Sequence, residues 1–131
     1  MELATYFEDT KGVGVLSTAD SSGKVNAAIY SKPHFMEDGT VAFIMRDRLT
    51  HANINSNPHA AFLFHENNSG YRGKRLYLRK VREEKESSLL YQIKRRENKN
   101  HSKGDKEPLF LVFFELEKEL PLISRSGGNG E

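Results

Sequence analysis

Short apolar segments separated by polar turns run along most of the chain, and their alternation predicts strands rather than long helices. Turn residues join several of these segments directly, as in 20–23 (Asp-Ser-Ser-Gly) and 37–39 (Glu-Asp-Gly), which suits the hairpins of an antiparallel sheet. Six strands are predicted, at 13–19, 24–31, 41–45, 59–64, 74–82 and 108–115.

Two of these segments leave almost no position for a solvent-facing side chain. Segment 41–45 is apolar at every residue, so the strand is expected to be buried on both faces. The run from Phe110 to Phe114 predicts either burial on both faces or a place at a dimer interface. A closed barrel packed against a second copy of itself would satisfy both patterns.

Two of the predicted helices flank these strands. Leu3, Tyr6 and Phe7 fall at helical spacing, and Gly12 follows where a helix C-cap would lie. The other helix is predicted over 83–99, because glutamates stand at its start and a basic run stands at its end, as the helix dipole favours.

The composition adds limits to this picture. The chain has 131 residues, which predicts one domain over 1–123, with a polar linker over 98–107 inside it and a disordered tail over 124–131. It has no cysteine, so disulfides and cysteine-based metal sites are excluded, and its net charge of +2 is too small to argue for nucleic acid. No secretory signal and no apolar run near the ~20 residues of a membrane span is visible, so a cytoplasmic protein is expected.

Candidate chemistry concentrates where the strand 41–45 meets a short helix. Asp47 is predicted to cap a helix that opens at Arg48 and closes at Pro58. Arg46, Arg48 and Thr50 then gather at the helix N-terminus, where free amides, two guanidinium groups and a hydroxyl suit a phosphate. The alternative is an ordinary junction in which the arginines form a solvated rim.

Other kinds of site have weaker support. The five histidines show no metal-ligand spacing, and the chain has neither a Gly-x-Ser-x-Gly motif nor a phosphate-binding glycine loop. The segment Arg72 to Arg82 is basic and is accompanied by Tyr71 and Tyr77, as in barrels that bind single-stranded nucleic acid. The glutamates that follow at once would weaken its field, so a solvated strand face is favoured.

Two segments, 26–31 (Asn-Ala-Ala-Ile-Tyr-Ser) and 45–58 with its Asn-Ser-Asn-Pro ending, carry a resemblance to a known family. In their order along the chain they resemble the FMN-binding split-barrel family related to pyridoxamine 5'-phosphate oxidase. The resemblance covers roughly residues 1–82, and it implies a homodimer of six-stranded antiparallel split barrels with FMN in a groove at the subunit interface.

The resemblance also implies roles for particular residues. The strand along the flavin ring would use the backbone of residues 26–30, which are Asn26, Ala27, Ala28, Ile29 and Tyr30. The ring and ribityl chain would be lined by Met45, Arg46 and Asp47, and the phosphate would lie near Arg46, Arg48 and Thr50. Family members commonly carry a lysine just before or near the position of Thr50, and this chain has Leu49 there.

The expected function is therefore that of a small FMN-dependent oxidoreductase or flavin carrier, in which the cofactor supplies the chemistry. Tyr30 and His51 are candidate proton donors near the flavin. The deazaflavin F420 and haem are alternative cofactors, and a catalytically silent member of the fold and a nucleic-acid-binding barrel are alternative functions. The substrate is not specified by any motif.

Overall fold

The computed structural model describes residues 2–97 and 107–123, and the predicted linker and tail lie mostly or wholly outside them. The described chain forms one sheet with three helices. In chain order the elements are α1 (Glu2–Asp9), β1 (Gly12–Ala19), β2 (Val25–Tyr30), β3 (His34–Phe35), β4 (Val41–Arg46), α2 (Leu49–Ser56), β5 (His59–Glu66), β6 (Gly73–Lys85), α3 (Ser88–Glu97) and β7 (Leu109–Pro121).

The sheet is antiparallel throughout, with strand order β2-β1-β5-β6-β7-β4-β3. Its inner face encloses a core to which β1, β4, β5, β6 and β7 all contribute fully buried side chains, including Leu16, Phe43, Phe62, Leu76 and Phe114. The ring of Tyr30 on β2 meets that of Phe43 on β4 edge to face, with centroids 6.1 Å apart. The two ends of the sheet therefore curl towards each other, and the predicted mainly β, antiparallel architecture is confirmed.

The first half of the last strand is buried on both faces, as its apolar run predicts. Phe110, Val112 and Phe114 belong to the inner core. The alternate residues, from Leu109 to Phe113, form a second cluster with Leu90 and Ile93 of α3. Helix α3 thus covers the outer face of β7.

The structure corrects the predicted number and extent of the strands. The sheet has seven strands, because His34 and Phe35 pair with β4 and form β3. Strand β7 continues to Pro121. Strand β6 runs to Lys85, which pairs with Phe110, so the first glutamates assigned to a helix belong to a strand.

Helix α3 begins five residues later than the predicted position at Glu83. Its start is set by Ser87, whose hydroxyl accepts a hydrogen bond of 3.1 Å from the amide of Leu90. Just before it, Glu86 takes a left-handed backbone conformation with φ of 51°, which redirects the chain from strand to helix. The basic residues predicted at the end of this helix do lie in its last turn.

The predicted N-cap of α2 is wrong. The helix begins at Leu49, and Arg48 occupies the cap position without a side-chain capping hydrogen bond. The Asp47 carboxylate instead lies 3.2 Å from Nδ1 of His51, one helical turn further on. The Asp47 carboxylate therefore contacts the His51 imidazole and does not cap the free amides of the helix. The end of the helix before Pro58 agrees with the prediction.

Two strands begin with glycines that approach the backbone of β5 closely. A Cβ added at Gly12 would lie 2.3 Å from the carbonyl oxygen of His65, and one at Gly73 would lie 2.0 Å from that of Phe64. Both contacts are too short for any side chain. Gly12 is thus the first residue of β1, and the predicted helix C-cap at this position is wrong.

No helix in the described ranges has the length and apolar character that crossing a bilayer would need.

Candidate functional site

A groove of about 460 Å³ opens between β2, β4 and the first turn of α2. This volume lies within the range of roughly 300–1,000 Å³ that is typical of small-molecule and cofactor sites. Seven of the residues predicted for a cofactor site line it, namely Asn26, Ala28, Ile29, Tyr30, Arg46, Arg48 and Thr50. The structure therefore brings together residues from two segments that are separate in the sequence.

Strand β2 contributes through its alternation. Asn26, Ala28 and Tyr30 are half-buried and face the groove, and Ala28 pairs with Leu16 of β1. The small side chain of Ala28 leaves room for a ligand against the strand. Ala27 is exposed on the opposite face, so its side chain is not part of the groove.

Two further predicted residues also lie elsewhere. Met45 is 1% exposed and points into the inner core. Its two neighbours on β4, Ile44 and Arg46, point the other way and line the groove. Asp47 is directed to His51 and does not line the groove. Of the ten predicted residues, Ala27, Met45 and Asp47 are the three that the fold does not bring to this cavity.

The predicted anion site contains an internal carboxylate. Arg48 binds Oε1 of Glu107 through Nη2 at 2.7 Å and Nε at 3.3 Å. Arg46 binds the other oxygen, Oε2, through Nη1 at 3.3 Å. The hydrogen bond from Arg48 is the main reason that the pKa of Glu107 is held below its usual value of 4.5. Two guanidinium groups therefore already converge on one anionic group.

Thr50 connects the helix to the groove wall. Its hydroxyl accepts a hydrogen bond of 3.4 Å from Nδ2 of Asn26 and lies near the phenol of Tyr30. Burial raises the pKa of Tyr30, although the Thr50 contact opposes the shift. The phenol consequently keeps its proton at neutral pH and remains available as a hydrogen-bond donor.

His51 follows Thr50 but faces away from the groove. Its ring stacks on Phe110 at 3.9 Å, and Nε2 lies 2.9 Å from Oε1 of Glu83. Lys80 Nζ also donates to that oxygen, at 2.7 Å. Burial alone would raise the pKa of Glu83, but the hydrogen bonds from Lys80 and His51 lower it below 4.5. His51 is therefore a buried structural group and is not placed to donate a proton within the groove.

The far end of the groove contains residues that the sequence did not single out. Lys32 lines it and donates to the carbonyl oxygens of Phe7 and Thr10, at 2.6 Å and 3.0 Å, where α1 ends. His34 lines the groove and also a second cavity of about 1,060 Å³ between α1, β3 and α3. Only their position next to Pro33, which breaks the strand pattern, was a signal in the sequence.

The basic strand proposed for nucleic acid is largely neutralised by glutamates, most of them on β7. Lys74 binds Glu119 at 2.8 Å, and Arg79 binds both Glu115 and Glu117. Arg82 is paired with Glu84 on its own strand. These contacts support the solvated strand face that the charge pattern favoured. Among the described residues, no group of histidines and carboxylates could hold a metal ion.

Comparison with known proteins gives matches only among solved structures. No family model and no curated protein matches the chain. An FMN-binding protein from Syntrophomonas wolfei is 24% identical with a TM-score of 0.68, over 93% of this chain and 84% of that one. A candidate pyridoxamine 5'-phosphate oxidase from Listeria innocua is 19% identical, also with a TM-score of 0.68, over 94% and 97%.

Proteins with other described ligands share the fold as well. An F420 reductase is 12% identical with a TM-score of 0.70, over 86% of this chain and 91% of that one. HutZ, a heme storage protein from Vibrio cholerae, is 15% identical with a TM-score of 0.62, over 92% of each chain. At these identities the likeness establishes the fold, and this chain has the split-barrel fold of the pyridoxamine 5'-phosphate oxidase-like proteins.

Proposed function

We propose that this protein binds FMN in the groove between β2, β4 and α2 and acts as a small flavin-dependent oxidoreductase. The observation that carries the proposal is the convergence of Arg46, Arg48 and Thr50 at one end of a groove of about 460 Å³. A planar, phosphorylated cofactor needs this combination of a slot and an anion site.

The residues present fit the parts of FMN. The guanidinium groups of Arg46 and Arg48, with the Thr50 hydroxyl, would hold the phosphate, and the backbone of β2 at Ala28 would lie along the ring. Bound FMN would supply hydride or electron transfer. Tyr30 would offer a protonated phenol to the ring edge or to a substrate, and burial raises its pKa further above the neutral range.

We also propose that the molecule is a homodimer joined through the outer face of β2, β1 and β5. Val15 pairs with both Ile29 and Leu63, so the apolar side chains of the three strands are neighbours on this face. Ile29 is 72% exposed and Val25 is 80% exposed, values that are high for large apolar residues in a monomer. Because Ile29 also lines the groove mouth, a second copy on this face would complete the cofactor site.

F420 and haem are the two alternative cofactors for this groove, because an F420 reductase and a heme storage protein share the fold. FMN is favoured here by the two arginines and the threonine grouped at a single end. A catalytically silent protein that retains the fold is the alternative function.

An absorption spectrum of the purified protein, before and after addition of FMN and removal of the excess, tests the cofactor. We expect a retained oxidised-flavin spectrum, with FMN released on denaturation. A haem spectrum, a deazaflavin spectrum or a colourless protein that fails to retain FMN would each overturn the proposal.

The double variant Arg46→Glu/Arg48→Glu tests the phosphate site. We expect FMN affinity to fall by about 100-fold or more, because each lost charge-assisted hydrogen bond is worth about 1.5–3 kcal/mol. The matched control is Arg72→Glu/Arg79→Glu, which makes the same charge change just before β6 and within it and should leave FMN binding unaltered. Retention of FMN by the first variant would show that the phosphate lies elsewhere.

A further inference from the structure

The Glu107 carboxylate occupies the point on which the two arginines of the proposed phosphate site converge. One oxygen is bound by Arg48 at 2.7 Å and the other by Arg46 at 3.3 Å, so both oxygens are engaged. A ligand phosphate also presents negatively charged oxygens, and the same guanidinium groups would bind them. The carboxylate and a phosphate cannot use these donors at the same time.

The main chain around Glu107 is fixed, whereas its side chain can leave. Pro108 restricts the backbone of the residue before it. The next residue, Leu109, is held by Glu86 twice: its amide donates to Oε1 of Glu86 at 3.0 Å, and its carbonyl accepts from the amide of Glu86 at 3.0 Å. The Glu107 side chain is 41% exposed, so rotation about its own bonds would move the carboxylate into water.

The other acidic side chains around α2 already have different partners. Asp47 contacts His51, and Glu83 contacts His51 and Lys80. Each of these partners lies on the side of α2 that faces away from the groove. Among the described residues near the groove, Glu107 is thus the carboxylate positioned to compete for Arg46 and Arg48.

We propose that Glu107 is an internal competitor of the ligand phosphate, a side chain that must leave the arginines before a phosphorylated ligand can bind. The inference rests on the proposed function, because it assigns the same arginines to the cofactor phosphate. The residue lowers the affinity for the phosphate group while it keeps the arginines oriented in the empty protein. It thereby sets how strongly the site prefers a phosphorylated flavin over one that lacks the phosphate.

The test compares wild type with Glu107→Gln, using FMN, riboflavin and inorganic phosphate as separate probes. Flavin binding is followed by fluorescence quenching and phosphate binding by phosphorus NMR at low salt. We expect Glu107→Gln to bind FMN and phosphate about two- to five-fold more tightly, the range that loss of an exposed ion pair allows. Riboflavin affinity should be unchanged, because riboflavin does not need the arginines.

Glu115→Gln is the matched control, since it removes a carboxylate that pairs with Arg79 away from the groove. Its affinities should equal those of wild type. Unchanged binding of FMN and phosphate by Glu107→Gln would overturn the inference, and weaker binding would overturn it and make Glu107 a positioning residue. If neither protein binds FMN but Glu107→Gln binds phosphate more tightly, the flavin proposal fails and the competition stands. If neither protein binds either probe, both proposals fail.

Discussion

The two sides of helix α2 carry similar charged groups with opposite outcomes. On the side of His51, Lys80 and the His51 imidazole share the Glu83 carboxylate, with side-chain exposures of 5% for His51 and 25% for Glu83. On the side of Thr50, two arginines share one carboxylate, yet Arg48 is 68% exposed and Glu107 is 41% exposed. Both arrangements satisfy their charges inside the protein.

The two clusters differ in the free energy that breaking their ion pairs would cost. Removing a partner from the enclosed side leaves charge in a place that water reaches poorly, which is costly. Opening the exposed side transfers the carboxylate to water, where an ion pair of this kind is worth little. Burial therefore makes one charge cluster a structural element, while exposure leaves the other free to exchange its anion for a ligand.

A larger side chain in the groove should have the largest effect on ligand binding. In Ala28→Leu the new side chain would occupy the groove, and we expect FMN affinity to fall by about 100-fold, since overpacking costs roughly 1–3 kcal/mol. Ala52→Leu makes the same change at an exposed position of α2 that lines neither the groove nor the proposed dimer face. Flavin titration should show near-normal affinity for Ala52→Leu. Equal affinities for the two variants would remove the groove from the proposal.

Removing the carboxylate from the enclosed cluster should lower the stability of the fold. Glu83→Ala leaves His51 and Lys80 without their shared carboxylate, and we expect the free energy of unfolding to fall by about 2 kcal/mol. Glu84→Ala, on the same strand, removes an exposed pair with Arg82 and should cost less than about 0.5 kcal/mol. Urea denaturation measures both values. Similar losses would show that burial does not distinguish the two glutamates.

Low pH should remove the stability that the Glu83 carboxylate contributes to the enclosed cluster. The pKa of Glu83 is lowered below 4.5 in the folded protein, so its ionised form stabilises the fold fully above about pH 4.5. That contribution is lost as the pH falls through the lowered folded pKa, where Glu83 becomes protonated. Urea denaturation from pH 7 to pH 3 should therefore show a shallower decline for Glu83→Gln than for wild type. Parallel declines would assign the acid sensitivity to other carboxylates.

The smallest effect should come from Asp47→Ala. An N-cap aspartate would contribute about 1 kcal/mol to stability. Because Asp47 is 60% exposed and contacts His51 instead of the helix amides, we expect a loss below about 0.5 kcal/mol by urea denaturation. A loss near 1 kcal/mol would restore the capping role.

These cases also show which features the sequence could predict. The groove residues Arg46, Arg48 and Thr50 lie within five positions, so the junction of one strand and one helix brings them together. Burial of the first half of β7 on both faces follows from its unbroken apolar run. Local pattern was sufficient wherever neighbours in the chain are neighbours in space.

The partners of those residues were out of reach of the same reasoning. Glu107 is 61 positions from Arg46, and Glu83 is 32 positions from His51. Nothing in a charge pattern states which distant carboxylate will meet which cation. Local pattern also favoured a helix at Glu83, where pairing with Val112 of β7 holds the chain in a strand.

The glycines at the start of β1 and β6 set a limit on how this fold can vary. At Gly12 and Gly73 even a methyl group would collide with main-chain oxygens of β5, and main chain cannot step aside as a side chain can. Both glycines pair with the same end of β5, Gly12 with Glu66 and Gly73 with His65. Alanine at either site would push β1 or β6 away from this end of β5, so the pairing of the central strands here is open only to a residue without a side chain.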